Sequence, residues 1–114
     1  MKVIIAGSRS ITDPKIVEYY CRHMPYEMIE MVCGMCPDGV DKIAYDLYKD
    51  KIPIKEFPAD WSKGKPAGPF RNRQMAYYAD ALVAIWDGKS RGTRDMIRKA
   101  HERGLPYTVY RHVF

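Results

Sequence analysis

Ala81-Leu-Val-Ala-Ile-Trp86 is an uninterrupted apolar run, and the loop Asp87-Gly-Lys-Ser-Arg-Gly-Thr93 follows it directly. A run of six apolar residues is typical of a strand that is covered on both faces, as the strands of parallel sheets are. Glycine lets a backbone approach a ligand closely, and the exposed N–H groups at a helix start bind anions. This stretch therefore predicts a buried strand, an anion-binding loop and a helix in succession.

The rest of the chain alternates between strand and helix in the same way. Further strands are predicted at 2–6, 28–33, 53–58 and 107–110. Helices are predicted from Pro14 to about Met24, over 39–48, over 69–78 and over 93–103, the last one ended by Gly104. Residues 59–69 are predicted to form a long loop. The order β-α-β-α-β-α-β-α-β predicts an α/β fold, a Rossmann-like three-layer sandwich with a five-stranded parallel sheet.

Length and composition limit the possible classes of protein. The 114 residues predict a single domain, 1–114, and a content of 46% hydrophobic and 29% charged residues is typical of an ordinary folded chain. No apolar run approaches the ~20 residues that a membrane span needs. The apolar start at 3–6 is too short for a signal peptide and favours a first strand. A cytoplasmic location is the resulting expectation.

Three glycine-containing loops carry the same chemistry: Ala6–Ser10, Gly64–Arg73 and Asp87–Thr93. Each combines glycine with hydroxyl or amide groups and with arginine or lysine, whose guanidinium or ammonium groups match a phosphate. Because the carboxyl ends of parallel strands meet at one edge of a sheet, the loops are expected to converge there. The sequence thus favours a phosphate-bearing small molecule as ligand, a nucleotide or ribose phosphate above all.

The net charge of +5 and the pI of about 9.1 also allow nucleic acid as a partner. Many of the basic residues, however, lie in or beside the three loops, which favours a local anion pocket over a basic face. These residues are Arg9, Lys63, Lys65, Arg71, Arg73, Lys89, Arg91 and Arg94.

The cysteines predict neither a structural metal nor a cofactor. Cys33 and Cys36 form a single C-x-x-C, Cys21 stands apart from them, and the three histidines are scattered without ligand spacing. A redox pair is possible, but reduced structural cysteines are the favoured interpretation.

Several of these segments resemble the SLOG superfamily, and within it the DUF2493 group found in bacteria and phages. The resemblance rests on Val3–Arg9, on Cys33–Asp41 and, most specifically, on Ala67–Met75 together with Ala79–Thr93. It covers nearly the whole chain. It implies a Rossmann-like domain that binds nucleotides or nucleotide-derived ligands, and relatives in the superfamily commonly form homodimers through helices beside the ligand edge.

The same superfamily contains the cytokinin-activating phosphoribohydrolases, which cleave the N-glycosidic bond of nucleoside monophosphates. Gly88–Asp95 is similar to their glycine-rich loop, and Phe70-Arg71-Asn72 is similar to the helix start that carries their arginine. Thr93 is followed by Arg-Asp-Met where those enzymes have a double glutamate. If the chain is an enzyme, the resemblance implies Arg71 and Asp95 as its catalytic residues.

The predicted ligand-binding residues have distinct roles. Ser8 and the Arg9 guanidinium follow the first strand, and Arg71 and Asn72 open a helix where they can hold phosphate or ribose oxygens. The carboxylates of Asp41 and Asp95 can bind ribose hydroxyls or assist cleavage. The loop residues are expected to donate N–H and hydroxyl groups. The complete predicted set is Gly7, Ser8, Arg9, Asp41, Arg71, Asn72, Gly88, Ser90, Arg91, Gly92 and Thr93.

Each of these residues also has a purely structural interpretation. The glycines can be turn residues, and Asp41 can simply favour a helix dipole. Trp61 and Trp86 can stack on a base, although Trp86 ends an apolar strand and is more often a core residue. Tyrosines at helical spacing, such as Tyr45 and Tyr48, favour packing or subunit contact over chemistry.

Three functions remain open at this point. The first is a sensor or sequestering protein for a nucleotide-derived molecule, the second is a nucleotide N-glycosidase, and the third is a single-stranded nucleic-acid binder. A homodimer or higher homo-oligomer is expected, because nine tyrosines and seven methionines exceed what one small core is expected to absorb.

Overall fold

A computed structural model of the chain describes residues 1–113 and has the predicted alternation of strands and helices. All five strands are parallel, in the order β3-β2-β1-β4-β5, which confirms the α/β fold with a five-stranded parallel sheet. The elements are β1 (Lys2–Gly7), α1 (Pro14–Arg22), β2 (Glu30–Cys33), α2 (Val40–Tyr48), β3 (Ile54–Glu56), a 3-10 turn (Trp61–Lys63), α3 (Ala67–Tyr78), β4 (Ala81–Trp86), α4 (Arg91–Arg103) and β5 (Tyr107–Arg111).

Two hydrophobic cores cover the two faces of the sheet. Because side chains alternate along a strand, Val3 and Ile5 of β1 pack into the core that α1 and α2 complete, while Ile4 packs into the core beneath α3 and α4. In the apolar run of β4, Val83 and Leu82 divide between the two cores in the same way. The continuous apolar sequence of β4 thus follows from burial on both faces.

Local capping sets both ends of α4 and the start of α1. Asp13 caps α1 by accepting the Lys15 N–H at 2.9 Å, and the helix ends at Arg22, short of the predicted Met24. Gly104 caps α4 in the left-handed conformation, with φ 78°, as predicted. The helix α4 begins at Arg91 instead of Thr93, because Ser90 is its capping residue.

The remaining differences from the predicted boundaries are short. β2 starts at Glu30 instead of Met28, because β1 pairs with it only from Lys2 onward. β3 is an edge strand of three residues, shorter than the predicted 53–58. The predicted loop 59–69 is interrupted by the 3-10 turn, which Asp60 caps, and α3 begins at Ala67. None of the helices within residues 1–113 is long and apolar enough to cross a membrane.

Candidate functional site

A cavity of about 470 Å³ opens at the carboxyl edge of the sheet, where β1 and β4 are neighbours. The chain runs outward from β1 through β2 to β3 and returns to form β4 on the other side of β1. Such a reversal is a topological switch point, at which open α/β sheets bind ligands. This cavity, called the crevice below, is lined by Ala6, Gly7, Arg9, Cys36, Asp41, Trp61, Lys65, Gly68, Pro69, Arg71, Asn72, Met75, Ser90, Arg91, Gly92, Thr93, Asp95 and Met96.

The end of β1 forms one wall of the crevice. Gly7 is packed so tightly that a Cβ would lie 2.3 Å from the Ile85 carbonyl oxygen and 2.6 Å from Val40 Cγ2. Ser8 is completely buried, and its hydroxyl accepts the Asp87 N–H at 3.0 Å. The Ser8 hydroxyl therefore joins the β1 and β4 loops and does not face the crevice.

The loop after β4 is folded by Asp87, whose Oδ1 accepts the N–H groups of Lys89 and Ser90 at 2.8 Å each. The Ser10 hydroxyl donates to the other carboxylate oxygen at 2.7 Å. Burial acts to raise the pKa of Asp87, yet these hydrogen bonds lower it to about 2. The carboxylate is thus ionised at neutral pH and holds the loop in one conformation.

The N-terminus of α4 opens into the crevice. The Ser90 hydroxyl accepts the Thr93 N–H at 3.4 Å and the Thr93 hydroxyl at 3.1 Å. The first helical hydrogen bond runs from Arg94 N to Ser90 O, so the N–H groups of Arg91 and Gly92 precede it. No atom lies within 4 Å of a Cβ built on Gly92, which leaves space for close approach. Backbone N–H groups at a helix start attract anions.

The start of α3 contributes a buried cation. Arg71 is 8% exposed, and its guanidinium donates to the Gly34 carbonyl oxygen and, at 3.0 Å, to Asn72 Oδ1. Within residues 1–113, no carboxylate lies within 4.0 Å of this guanidinium. The Asn72 amide continues the network by donating to Gly92 O at 3.3 Å and to Asp95 Oδ2 at 3.0 Å. Hydrogen bonds thus join α3 to the loop after β2 and to α4.

The two carboxylates of the crevice have contrasting environments. Asp41 is 5% exposed, and this burial raises its pKa although its Oδ2 accepts the Cys36 N–H at 3.2 Å. For Asp95, burial also acts to raise the pKa, but hydrogen bonds from Lys99 at 2.6 Å and from Asn72 hold the pKa below its usual value. One carboxyl group therefore favours its proton more than the other does.

Aromatic and exposed cationic side chains complete the rim. Trp61 is 61% exposed and packs over α3, where a Cβ on Gly68 would lie 3.0 Å from the indole. Lys65 and Arg91 are exposed and line the crevice. Arg9 also lines it and is paired with Asp38 at 2.7 Å. The crevice thus has four cationic side chains and two carboxylates.

The sequence is similar to that of the Gene 61 protein of Mycobacterium phage D29, with 30% identity over 115 residues that cover 92% of each chain. The chain belongs to the family of this phage protein. No family model matches the sequence, and no solved structure matches it. The similarity to the Gene 61 protein spans nearly the whole domain.

Most of the predicted ligand-binding residues line the crevice, together with Asp95. Two predicted residues, Ser8 and Gly88, do not line it. Ser8 is buried between two loops, and Gly88 packs beside Arg111, whose Nε would lie 2.8 Å from a Cβ. The predicted residues that line the crevice are Gly7, Arg9, Asp41, Arg71, Asn72, Ser90, Arg91, Gly92 and Thr93.

The tryptophans have different positions. Trp61 lines the crevice, whereas the Trp86 indole N–H donates to Ser90 O at 3.1 Å and supports the loop from outside the lining. Lys65, Cys36 and Gly68 also line the crevice but were outside the predicted set. The signal for Lys65 and Gly68 is their place in the glycine-containing loop Gly64–Arg73, while the position of Cys36 depends on contacts distant in sequence.

The cysteines show no sign of an activated thiol. Cys33 is buried, and burial raises its pKa to about 12. Burial also raises the pKa of Cys36, which lines the crevice beside Asp41 and Arg71. No group of three or more histidine, cysteine or acidic side chains in the described part of the chain is placed to hold a metal ion.

Proposed function

We propose that the protein binds a nucleotide or a nucleotide-derived phosphate ligand in the crevice, as a sensor or sequestering protein. The observation that carries the proposal is the position of the buried Arg71 guanidinium in the same cavity as the N-terminus of α4, formed by Ser90–Thr93. In the described part of the chain, no carboxylate lies within 4.0 Å of this buried cation, and such a cation and a helix N-terminus both favour an anion.

The other lining groups favour a nucleotide over a free phosphate. The exposed Trp61 indole offers an apolar face for a base. Asp41 and Asp95 offer carboxylate oxygens that accept hydrogen bonds from ribose hydroxyls. The resemblance to the SLOG superfamily supports the same ligand class. The crevice thus has groups that suit the phosphate, the sugar and the base of a nucleotide.

Isothermal titration calorimetry with AMP, adenosine and ribose 5-phosphate tests this proposal. Arg91 lines the crevice, whereas Arg94 lies one turn of α4 away from Ser90 and outside the lining, so Arg91→Ala and Arg94→Ala are a matched pair. We expect AMP to bind more tightly than adenosine, and Arg91→Ala to weaken AMP binding about tenfold while Arg94→Ala changes it less than twofold. Equal effects of both substitutions, or no binding of either phosphate compound, would contradict the proposal.

Arg71 provides a second pair for the same titration. Arg71→Ala removes a charged hydrogen-bond donor, so we expect AMP affinity to fall about ten- to a hundredfold. It also leaves the Gly34 carbonyl without its donor, so the free energy of unfolding falls as well, by roughly 1–3 kcal/mol. Arg22→Ala, at an exposed position of α1 outside the crevice lining, is the control for the titration.

A second candidate function is hydrolysis of a nucleoside monophosphate to the free base and ribose 5-phosphate. The observation that favours it is that two carboxyl groups in contrasting environments line the same crevice: burial raises the pKa of Asp41, whereas hydrogen bonds lower the pKa of Asp95, so one suits an acid role and the other an ionised role. Asp41 would protonate the leaving base, Asp95 would stabilise the positive charge that develops on the ribose, and water would supply the new hydroxyl group.

Incubation with AMP followed by chromatography separates this candidate from simple binding. Release of adenine that Asp95→Asn abolishes and Glu102→Gln preserves would establish hydrolysis, because Glu102 lies on α4 but outside the crevice lining. Binding of AMP without any release of adenine would exclude hydrolysis of this compound and leave the binding function intact.

A further inference from the structure

A second, basic groove lies on the outer surface of α3 and α4, where the two helices pack side by side. It has a volume of about 410 Å³ and shares no lining residue with the crevice. Four of its side chains are cationic and one is a carboxylate: Arg73 from α3, and Arg98, Lys99, Arg103 and Glu102 from α4. The groove therefore carries excess positive charge.

Two of these cations are free of acidic partners. Lys99 and Arg98 hold the Asp95 carboxylate at 2.6 Å and 2.8 Å, which neutralises part of their charge. Within the residues that the structure describes, no carboxylate lies within 4.0 Å of the Arg73 or Arg103 guanidinium. The excess charge is thus concentrated on Arg73 and Arg103.

An exposed aromatic ring lies beside these two guanidiniums. Tyr77 is 62% exposed, and its ring centroid is 5.8 Å from Arg73 Cζ and 4.7 Å from Arg103 Cζ. Arg73 and Tyr77 are four residues apart on α3, so they lie on the same face of that helix. An exposed ring beside unpaired arginines is the combination by which proteins stack a base and hold its phosphates.

We infer that the groove between α3 and α4 binds single-stranded nucleic acid, with a base stacked at Tyr77 and the adjoining phosphates held by Arg73 and Arg103. The sequence favours a local anion pocket over a basic face, and its Lys63-Gly-Lys65 loop leaves nucleic-acid binding open. The groove is a different location, built from helix positions. Nucleic acid combines phosphates with bases that can stack on a ring, whereas a free phosphate and an acidic peptide contain no base. The exposed ring therefore favours nucleic acid.

Fluorescence anisotropy with a labelled dT20 oligonucleotide tests the inference. At 50 mM salt we expect binding that weakens as salt is raised, with a slope of about −0.7 in log K against log salt for each phosphate neutralised. Tyr77→Ala is expected to weaken binding about 5- to 100-fold, and Tyr77→Phe to keep it within about twofold, because the ring is retained.

The charges are tested separately from the ring. The double variant Arg73→Gln/Arg103→Gln should reduce the salt slope by about 0.7 for each phosphate that the arginines no longer neutralise. Lys15→Gln/Lys51→Gln removes the same charge from exposed positions on α1 and in the turn after α2, and should leave the slope unchanged. Thermal melting of each variant shows whether the fold is kept, which we expect because the substituted side chains are exposed.

Three outcomes would overturn the inference. The first is the absence of dT20 binding at 50 mM salt. The second is binding that the Tyr77 and arginine variants leave intact but that Lys63→Gln/Lys65→Gln abolishes, which would place the oligonucleotide at the crevice rim. The third is equal competition by a poly-glutamate of the same charge, which would show attraction to any polyanion. The first and the third outcome do not bear on AMP binding in the crevice.

Discussion

The two least exposed charged side chains of the crevice, Arg71 and Asp41, lie on either side of Gly34. A Cβ on Gly34 would be 2.8 Å from Arg71 Nη1 and 3.1 Å from Asp41 Oδ2, so glycine leaves the space between them open. The Arg71 guanidinium is held by a carbonyl oxygen and an amide oxygen, and Asp41 accepts the Cys36 N–H. Burying charge in this way costs stability, and a bound ligand with complementary groups offsets that cost.

Substitution of Asp41 tests whether a buried carboxylate lowers the stability of the fold and at the same time strengthens ligand binding. Burial raises the pKa of Asp41 above 3.8, so the folded protein holds the proton more tightly than the unfolded chain does. The free energy of unfolding therefore decreases as the pH rises above the unfolded-state pKa and through the folded-state pKa. Asp41→Asn removes this pH-dependent decrease in the free energy of unfolding, and its amide oxygen can still accept the Cys36 N–H. We expect it to be more stable than the parent at pH 7, equally stable near pH 3, and about tenfold weaker in AMP binding.

Urea unfolding at the two pH values measures the effect. Asp46→Asn, an exposed position on the same helix α2, is the control and should show no such gain at pH 7. A lower stability of Asp41→Asn than of the parent at pH 7 would mean that the carboxylate stabilises the fold, contrary to the expectation.

At the scale of the elements, the sequence predicts β1, β4 and the order of all nine strands and helices, because burial on two faces gives continuous apolar runs and capping residues mark helix starts. It also predicts that the loops after β1 and β4 and the start of α3 share one edge. It does not distinguish Ser8, which joins two loops, from Ser90, which faces the crevice. That distinction depends on contacts between residues that lie far apart in the sequence.

The sequence also does not distinguish the roles of Gly7 and Gly92, and the two glycines make a matched pair for substitution. A Cβ at Gly7 would lie 2.3 Å from the Ile85 carbonyl oxygen, so β1 and β4 would have to separate, whereas a Cβ at Gly92 meets nothing within 4 Å. We expect Gly7→Ala to lower the free energy of unfolding by about 3 kcal/mol. Gly92→Ala should leave it unchanged or raise it by up to about 1 kcal/mol, since alanine favours helix.

Urea unfolding and AMP titration together check this pair. Gly92→Ala should weaken AMP binding in spite of its unchanged stability, because the methyl group occupies the space in front of the first N–H groups of α4. If Gly7→Ala were as stable as the parent, the close packing of β1, β4 and Val40 would not be the reason for glycine there.

At the scale of the whole molecule, a single domain covers more of its tyrosine side chains than the composition suggests. Of the nine tyrosines, only Tyr19, Tyr77 and Tyr107 are exposed. The case for self-association therefore rests on another surface, formed by Trp61 and Phe70 beside the crevice. Both side chains are more than 60% exposed, and a second cavity of about 440 Å³ lined by Pro58, Pro66 and Phe70, among others, adjoins them.

We predict that two copies associate through this Trp61 and Phe70 surface and thereby shield the mouth of the crevice. Two exposed aromatic side chains beside a cavity form a patch of the kind that subunit contacts cover. Light scattering at micromolar concentration should give twice the chain mass of 13.2 kDa. Phe70→Asp should return the mass to that of one chain, because it removes the ring and places a charged group in the contact. Tyr19→Ser removes an equally exposed ring from α1 and should not change the mass. A mass of 13.2 kDa for the parent across a dilution series would show that the crevice is complete within one chain.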